Sequence, residues 1–273
     1  MFDKGMFPGF ENALLVTGDQ RYVDVLRGQM ANMYAQKKMV DGKLMIPQNY
    51  GDQGWYNWTP QLYTDRLLEI YLLSMNRADL EYIPMAGWVA FLEGKNPDYP
   101  EKALQNDFKE IRRLMELMRK DPTTPDTRLA DWAMNFNPAT TRNLVNLMLG
   151  GQLNGVVYML HSRVRYFDPV AQRAGIPEDV AALVQKMGPE EVVLTLVNVN
   201  PVHVRTVTVQ MGAYAEHHCT KVSVGGRAFT VDAPYFHVRL EPGAGETLTI
   251  TQKRWAHQPT LAFPWDRSWM VRN

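Results

Sequence analysis

Apolar positions recur at helical spacing up to about residue 150 and at every second position past residue 155. The chain therefore divides into a helical part and a strand-rich part. A first helix spans residues 11–16 and stops at Thr17-Gly18, where glycine supplies the left-handed turn. Asp19 then caps a helix over residues 21–36, with Tyr22, Val23, Val25, Leu26, Met30, Met33 and Tyr34 near one face. Asp41-Gly42 between short apolar runs predicts a hairpin over residues 39–46. Pro60 takes a first helical position ahead of Leu62, Leu67, Leu68, Ile70, Tyr71, Leu72 and Leu73. Further helices are expected over residues 85–91, 101–120 and 141–149, with a short helix or turn at 76–82. In the longest of these, Leu104, Phe108, Ile111, Leu114, Met115 and Met118 make the apolar stripe.

The later pattern has period two. Residues 156–165, 191–198, 202–210, 221–224, 228–231, 235–240 and 246–251 read as strands, with a small helix at 177–187 among them. Short strands separated by Gly225-Gly226, Asp232-Ala233-Pro234 and Pro242-Gly243-Ala244-Gly245 predict an antiparallel β-sandwich. The fold class expected is thus α+β and multidomain: stacked helical hairpins over residues 1–153 and a β-sandwich over 154–273. Residues 254–273, with three tryptophans and no regular period, are expected to pack back across the boundary.

Composition narrows the function. With 29 basic and 29 acidic side chains the net charge is zero, which directs the chain toward neither nucleic acid nor an anionic membrane. A neutral ligand is the better expectation. No apolar run reaches the ~18 residues of a membrane span, and residues 1–7 do not read as a signal peptide, leaving localisation open. Phe7-Pro8-Gly9-Phe10 enters a helix so directly that upstream sequence is expected. Cys219 stands alone, so an intrachain disulfide and a cysteine metal cluster are both excluded, and no metal or other cofactor is expected. Neither a phosphate loop nor a dinucleotide fingerprint is present.

Thr17-Gly18-Asp19-Gln20-Arg21-Tyr22-Val23-Asp24, with a helix on each side, resembles the hairpin turns of (α/α)-toroid carbohydrate-active enzymes. Helices followed by an all-β C-terminal region also resemble glycoside hydrolases and polysaccharide lyases built as a helical barrel plus sandwich. The resemblance implies the C-terminal part of such a toroid, acting on a poly- or oligosaccharide. With about half the helices of a full toroid, the open side would be covered by another subunit, giving a homo-oligomer, or by rearrangement. A lyase, a noncatalytic glycan-binding or scaffold protein, and an enzyme for a hydrophobic or ester substrate are the alternatives.

The richest chemistry lies between Asn49 and Arg66, where Trp55, Tyr56, Asn57, Trp58 and Tyr63 alternate with Asp52, Asp65 and Arg66 in what reads as a loop. Flat rings beside directional amides and carboxylates match the C–H faces and hydroxyls of a sugar. Hydrolysis needs two carboxyl groups across a cleft. The candidates are Asp52, flanked by glycines, then Asp65 and Glu69 on one helical face, and Asp126 and Asp131 in a second polar loop with Arg128 and Trp132. At the boundary His161, Arg163 and Arg165 form a basic stripe, able to bind a carboxylate or to pair with acids across the interface. His217 and His218, adjacent in a strand, point to opposite faces and do not readily grip one ion.

Overall fold

The computed structural model describes residues 7–60, 63–124, 137–139, 141–152 and 160–267. Helices α1 (Phe7–Thr17) and α2 (Arg21–Tyr34) form an antiparallel pair around Leu14, Val23, Leu26, Met30 and Met33. Gly18, at φ +69°, makes the turn and donates its N–H to the Leu14 carbonyl. A three-stranded ribbon follows: β1 (Lys38–Val40), β2 (Lys43–Gly51) and β3 (Gly54–Thr59), in that order. Next come α3 (Thr64–Ser74), a 3-10 turn (Arg77–Leu80), α4 (Gly87–Leu92), α5 (Tyr99–Lys120) and α6 (Arg142–Leu149).

This is not a toroid. The described residues hold six helices of 6 to 22 residues, too unequal to stack as repeated hairpins, and a β-ribbon interrupts them. The fold class expected from the sequence is corrected accordingly: a small helical part leads into a mostly sheet C-terminal part. One cause of the error is Asn49 to Thr59. Its glycines, amides and carboxylate read as a loop, yet Asn49 pairs with Tyr56 and Tyr50 with Trp55 in an antiparallel ladder.

From residue 164 the chain forms β4 (Val164–Asp168), β5 (Arg173–Ala174), β6 (Val180–Met187), β7 (Glu191–Asn198), β8 (Arg205–Met211), β9 (His218–Val224), β10 (Arg227–Ala233), β11 (Tyr235–Leu240) and β12 (Gly245–Lys253). They pair as a five-stranded sheet, β10-β9-β12-β7-β6, and a four-stranded one, β11-β8-β4-β5. Every ladder is antiparallel. Val192, Leu194 and Leu196 from the first sheet share a buried core with Val164, Val207 and Val209 from the second. Period-two alternation puts those residues on the inner faces.

Strand β6 replaces the helix expected at 177–187. A bulge between Val184 and Lys186 shifts its register, so the buried positions Val180, Val184 and Met187 fall at helical intervals. One extra residue in a strand imitates the period of a helix. The last segment also differs from expectation in part. Arg254 and Trp255 reach the helical part, but Phe263 and Trp265 stack on each other at 5.0 Å and pack edge-on against Phe167 of β4.

The two parts are joined at the C-terminus of α3. Its final carbonyls are orphaned by helix geometry and carry the negative end of the helix dipole. Arg163 Nη2 donates to the Leu72 carbonyl at 3.2 Å, Arg254 Nη1 to that of Leu73 at 2.6 Å, and Arg254 Nη2 to that of Ser74 at 2.7 Å. Replacing Arg254 with Met keeps most of the aliphatic volume but strands two of these carbonyls. Denaturant titration should show a loss of about 2–4 kcal/mol in unfolding free energy. An unchanged midpoint would mean that the joint does not depend on this cap.

Candidate functional site: a buried carboxylate and histidine cluster beside an aromatic ribbon

Charged side chains collect between α1, α3 and the segment leading into β4. Glu11 of α1 and Glu69 of α3 are both 0% exposed, and His161 is 8% exposed. His161 Nε2 lies 3.4 Å from Glu11 Oε2 and 3.5 Å from Glu69 Oε1. One ligand-type atom from each residue falls within 4.8 Å of the others. Arg66, one turn back on α3, donates to Glu69 Oε2 at 3.2 Å. Among the described residues, neither Glu11 oxygen nor His161 Nε2 has a hydrogen-bond partner.

Burial pushes the Glu11 carboxyl up to about 8, because desolvation outweighs the pull of His161. Burial alone would lower the His161 pKa, but Glu11 and Glu69 overcome it and raise the imidazole to about 9. The cluster therefore holds proton and negative charge in close balance away from water. Its donor set, two carboxylate oxygens and an imidazole nitrogen, is also one that a transition metal accepts.

Next to it a cavity of about 20 Å³ is lined by His161, Ser162, Arg163, Glu216, His217 and Trp255 among others. Glu216 is buried and accepts from the Ala213 and Tyr214 N–H groups at 3.2 and 2.7 Å. Gly212, at φ +81°, permits that turn, since a Cβ there would sit 2.4 Å from the Glu216 carboxylate. His217 stacks edge-on against Trp255 and accepts the Trp255 N–H at Nδ1, 3.1 Å away. His218 faces the other way, bonded to His257 at 2.8 Å and to Asp232 at 2.9 Å.

The residues singled out from the sequence separate into distinct places. Glu69, Arg66, His161 and Arg163 fall in or beside the buried cluster. The basic stripe does not face solvent: Arg163 caps α3, and Arg165 donates to the Ala213 carbonyl at 3.1 Å. Asp52 is exposed in the β2–β3 turn, and Asp65 is exposed on α3. Asp126, Arg128, Asp131 and Trp132 lie outside the described residues. Tyr63 precedes α3 in the left-handed conformation, φ 47°. Glu11 was missed. The signal available was a charged residue in phase with Leu14, three positions on, the side of α1 that is buried.

On the ribbon, Tyr50 and Trp55 are cross-strand partners and meet edge-to-face at 5.0 Å. Asn49 and Tyr56 pair on the opposite face, as do Pro47 and Trp58. Lys38 Nζ covers the Trp58 ring at 3.6 Å. Asn57 has φ +56°, and its amide donates to Asn49 Oδ1 at 3.0 Å, which brings it to the face of Tyr56. Tyr56 is 50% exposed and lies over Gly51, where a Cβ would come within 3.2 Å of its ring.

A family described as a domain of unknown function (DUF8034) matches residues 85–145. That stretch includes α4 and α5 and contains none of Glu11, Glu69 or His161, nor any residue of the ribbon. No curated protein and no solved structure matches the chain. Among the described residues no helix is long and apolar enough to cross a membrane.

Burial, then the nearby charges of Arg163 and Arg254, hold His217 well below the usual histidine value. The folded state thus binds fewer protons at this position than the unfolded one. Stability from His217 is complete above about pH 6.5 and is lost as the pH falls below it toward the folded pKa. The loss approaches a slope of about 1.4 kcal/mol per pH unit in that window. Lowering the pH from 8 to 5 should reduce the unfolding free energy of wild type relative to that of His217→Gln, with the change in their difference setting in below about pH 6.5. A constant difference would show that His217 does not carry the effect.

Proposed function

We propose that this chain binds a poly- or oligosaccharide on the β2–β3 ribbon, with Tyr56, Asn49 and Asn57 as the contact face and Asp52 at its tip. The observation supporting this reading is the half-exposed Tyr56 ring beside the Asn49–Asn57 amide pair, on a ribbon fixed by cross-strand pairing. A pyranose ring presents C–H groups on one face and hydroxyls at its edge, so an aromatic surface flanked by amides meets both. Tyr50, 68% exposed, and Trp55 form the opposite side of the ribbon and brace it. The neutral net charge of the chain agrees with a ligand that is recognised by stacking and hydrogen bonds.

Binding is placed ahead of hydrolysis for a geometric reason. Glu11 and Glu69 bring carboxylate oxygens within 4.8 Å of each other, near the spacing of a retaining hydrolase, about 5 Å, but both are 0% exposed and a polymer does not reach them. Asp52 and Asp65 are accessible to solvent, and turnover by them is a separate question that the same samples answer.

Titration of neutral and uronic-acid oligosaccharides by calorimetry should show saturable binding of at least one class. Tyr56→Ala should weaken it by about tenfold, equivalent to about 1.4 kcal/mol. Asn57→Ala should weaken it less, and Val202→Ala, an exposed change distant in sequence, should leave it intact. Unaltered affinity in Tyr56→Ala would remove the ribbon as the binding face. Reducing ends released from the same ligands, or ultraviolet absorbance from unsaturated uronates, would add hydrolysis or elimination to the binding reading.

A further inference from the structure

The buried cluster has a geometry that the glycan reading does not use. We propose that Glu11, Glu69 and His161 form a binding site for a divalent transition-metal ion of the zinc class, taking one carboxylate oxygen from each helix and Nε2 of the histidine. Three chain segments far apart in sequence supply the ligands: α1, α3 and the residues leading into β4.

Distances carry the first part of the argument. A charge-assisted N–H···O bond is about 2.7–2.9 Å long. His161 Nε2 instead stands 3.4 Å from one carboxylate and 3.5 Å from the other, with a single hydrogen to offer and two acceptors to serve. Ligand atoms about 2.0–2.1 Å from a tetrahedral zinc are separated from one another by about 3.3–3.4 Å. The two observed separations suit atoms that share an ion better than atoms that share a proton.

Unspent ligand capacity gives the second part. Glu11 is wholly buried, and neither of its oxygens accepts a hydrogen bond among the described residues. A buried carboxylate in that condition needs a cation or a proton. The Arg66 guanidinium donates to Glu69, and the one hydrogen of His161 Nε2 comes no closer to Glu11 than a 3.4 Å N···O separation. Donor chemistry then narrows the ion. Magnesium and calcium favour six or more oxygen ligands, whereas an imidazole nitrogen with carboxylate oxygens suits zinc, cobalt, manganese or iron.

The half-buried pair His218 and His257, with the exposed Asp232, is a second place where zinc could adhere, and the test must separate the two. The full chain, dialysed against a chelator and desalted, would be loaded with zinc or magnesium chloride, and bound metal per chain and thermal midpoint measured. Wild type should retain about one zinc and, at a hundredfold the dissociation constant, melt about 5 °C or more higher; magnesium should do neither. Glu11→Gln, which keeps the shape of the side chain, should lose the bound zinc and the shift, while His218→Ala should keep both. Loss in His218→Ala with retention in Glu11→Gln would overturn the assignment, as would an equal response to magnesium. Should Glu11→Gln not fold, cobalt in the wild-type chain decides. A visible absorption band typical of four or five nitrogen and oxygen ligands that persists in His218→Ala supports the site, and its absence, or its loss in His218→Ala, refutes it.

Discussion

The C-terminus of α3, closed by two arginines from the sheet-rich part, is the constraint from which the rest follows. Three successive carbonyls, of Leu72, Leu73 and Ser74, are taken by Arg163 and Arg254. Burial lowers the pKa of both guanidinium groups, and the like charge of Arg254 lowers that of Arg163 further. Such crowding of cations is unfavourable unless something negative is close. The aligned carbonyls of the helix end provide part of it, and the buried Glu216 carboxylate, which raises the Arg163 pKa, adds to it.

That cap also sets the register of the cluster. Leu72, whose carbonyl Arg163 holds, lies three residues beyond Glu69, nearly one turn along the same side of α3. His161 lies two residues before Arg163. The two contacts therefore run in step: Arg163 on Leu72 and His161 on Glu69. Docking the helix end brings the histidine to the carboxylate, and α1, packed beside α2, delivers Glu11 to the same point. A local cap thus assembles a site from segments separated by most of the chain.

How much of this could be read beforehand depended on whether a pattern was local. Helix α2 and strands β7 and β11 follow directly from spacing, because the burial that selects them repeats within the element, whereas α5 forms although Phe108, Met115 and Met118 of its expected stripe are exposed. The Asp41-Gly42 turn was legible for the same reason, as both turn residues have positive φ. Strand β6 was not, since its bulge placed Val180, Val184 and Met187 at helical intervals. The ribbon was missed because its polar and aromatic residues, rather than an apolar face, make the alternation. As for the cluster, Glu69 is the one charge in the run from Leu67 to Leu73, and that isolation was the signal of burial. Read as half of a solvated pair with Asp65, it lost that meaning. The partner that completes it, Glu11, lies 58 positions earlier on another helix, and sequence spacing carries no information about such a meeting.

The two unusual features of the molecule differ in what maintains them. Exposed rings on a ribbon are tolerated in folding, since surface apolar groups lose little by remaining in water, and Tyr56 could be polar without loss to the core. The cluster is the reverse case. Two carboxylates and an imidazole removed from water cost several kcal/mol each before their mutual attraction is counted, and well-packed apolar residues would join α1 to α3 at least as firmly. Stability alone gives no reason to prefer the charged arrangement. A group that binds there and is absent from the unfolded chain would reverse the balance, because its binding free energy becomes folding free energy. Burial then has a purpose: it keeps water from competing for the ligands and leaves the three side chains with few other partners. On this view the arginine cap, by fixing α3 against the sheets, supplies the preorganisation, and the ion supplies the stabilisation that the bare carboxylates lack.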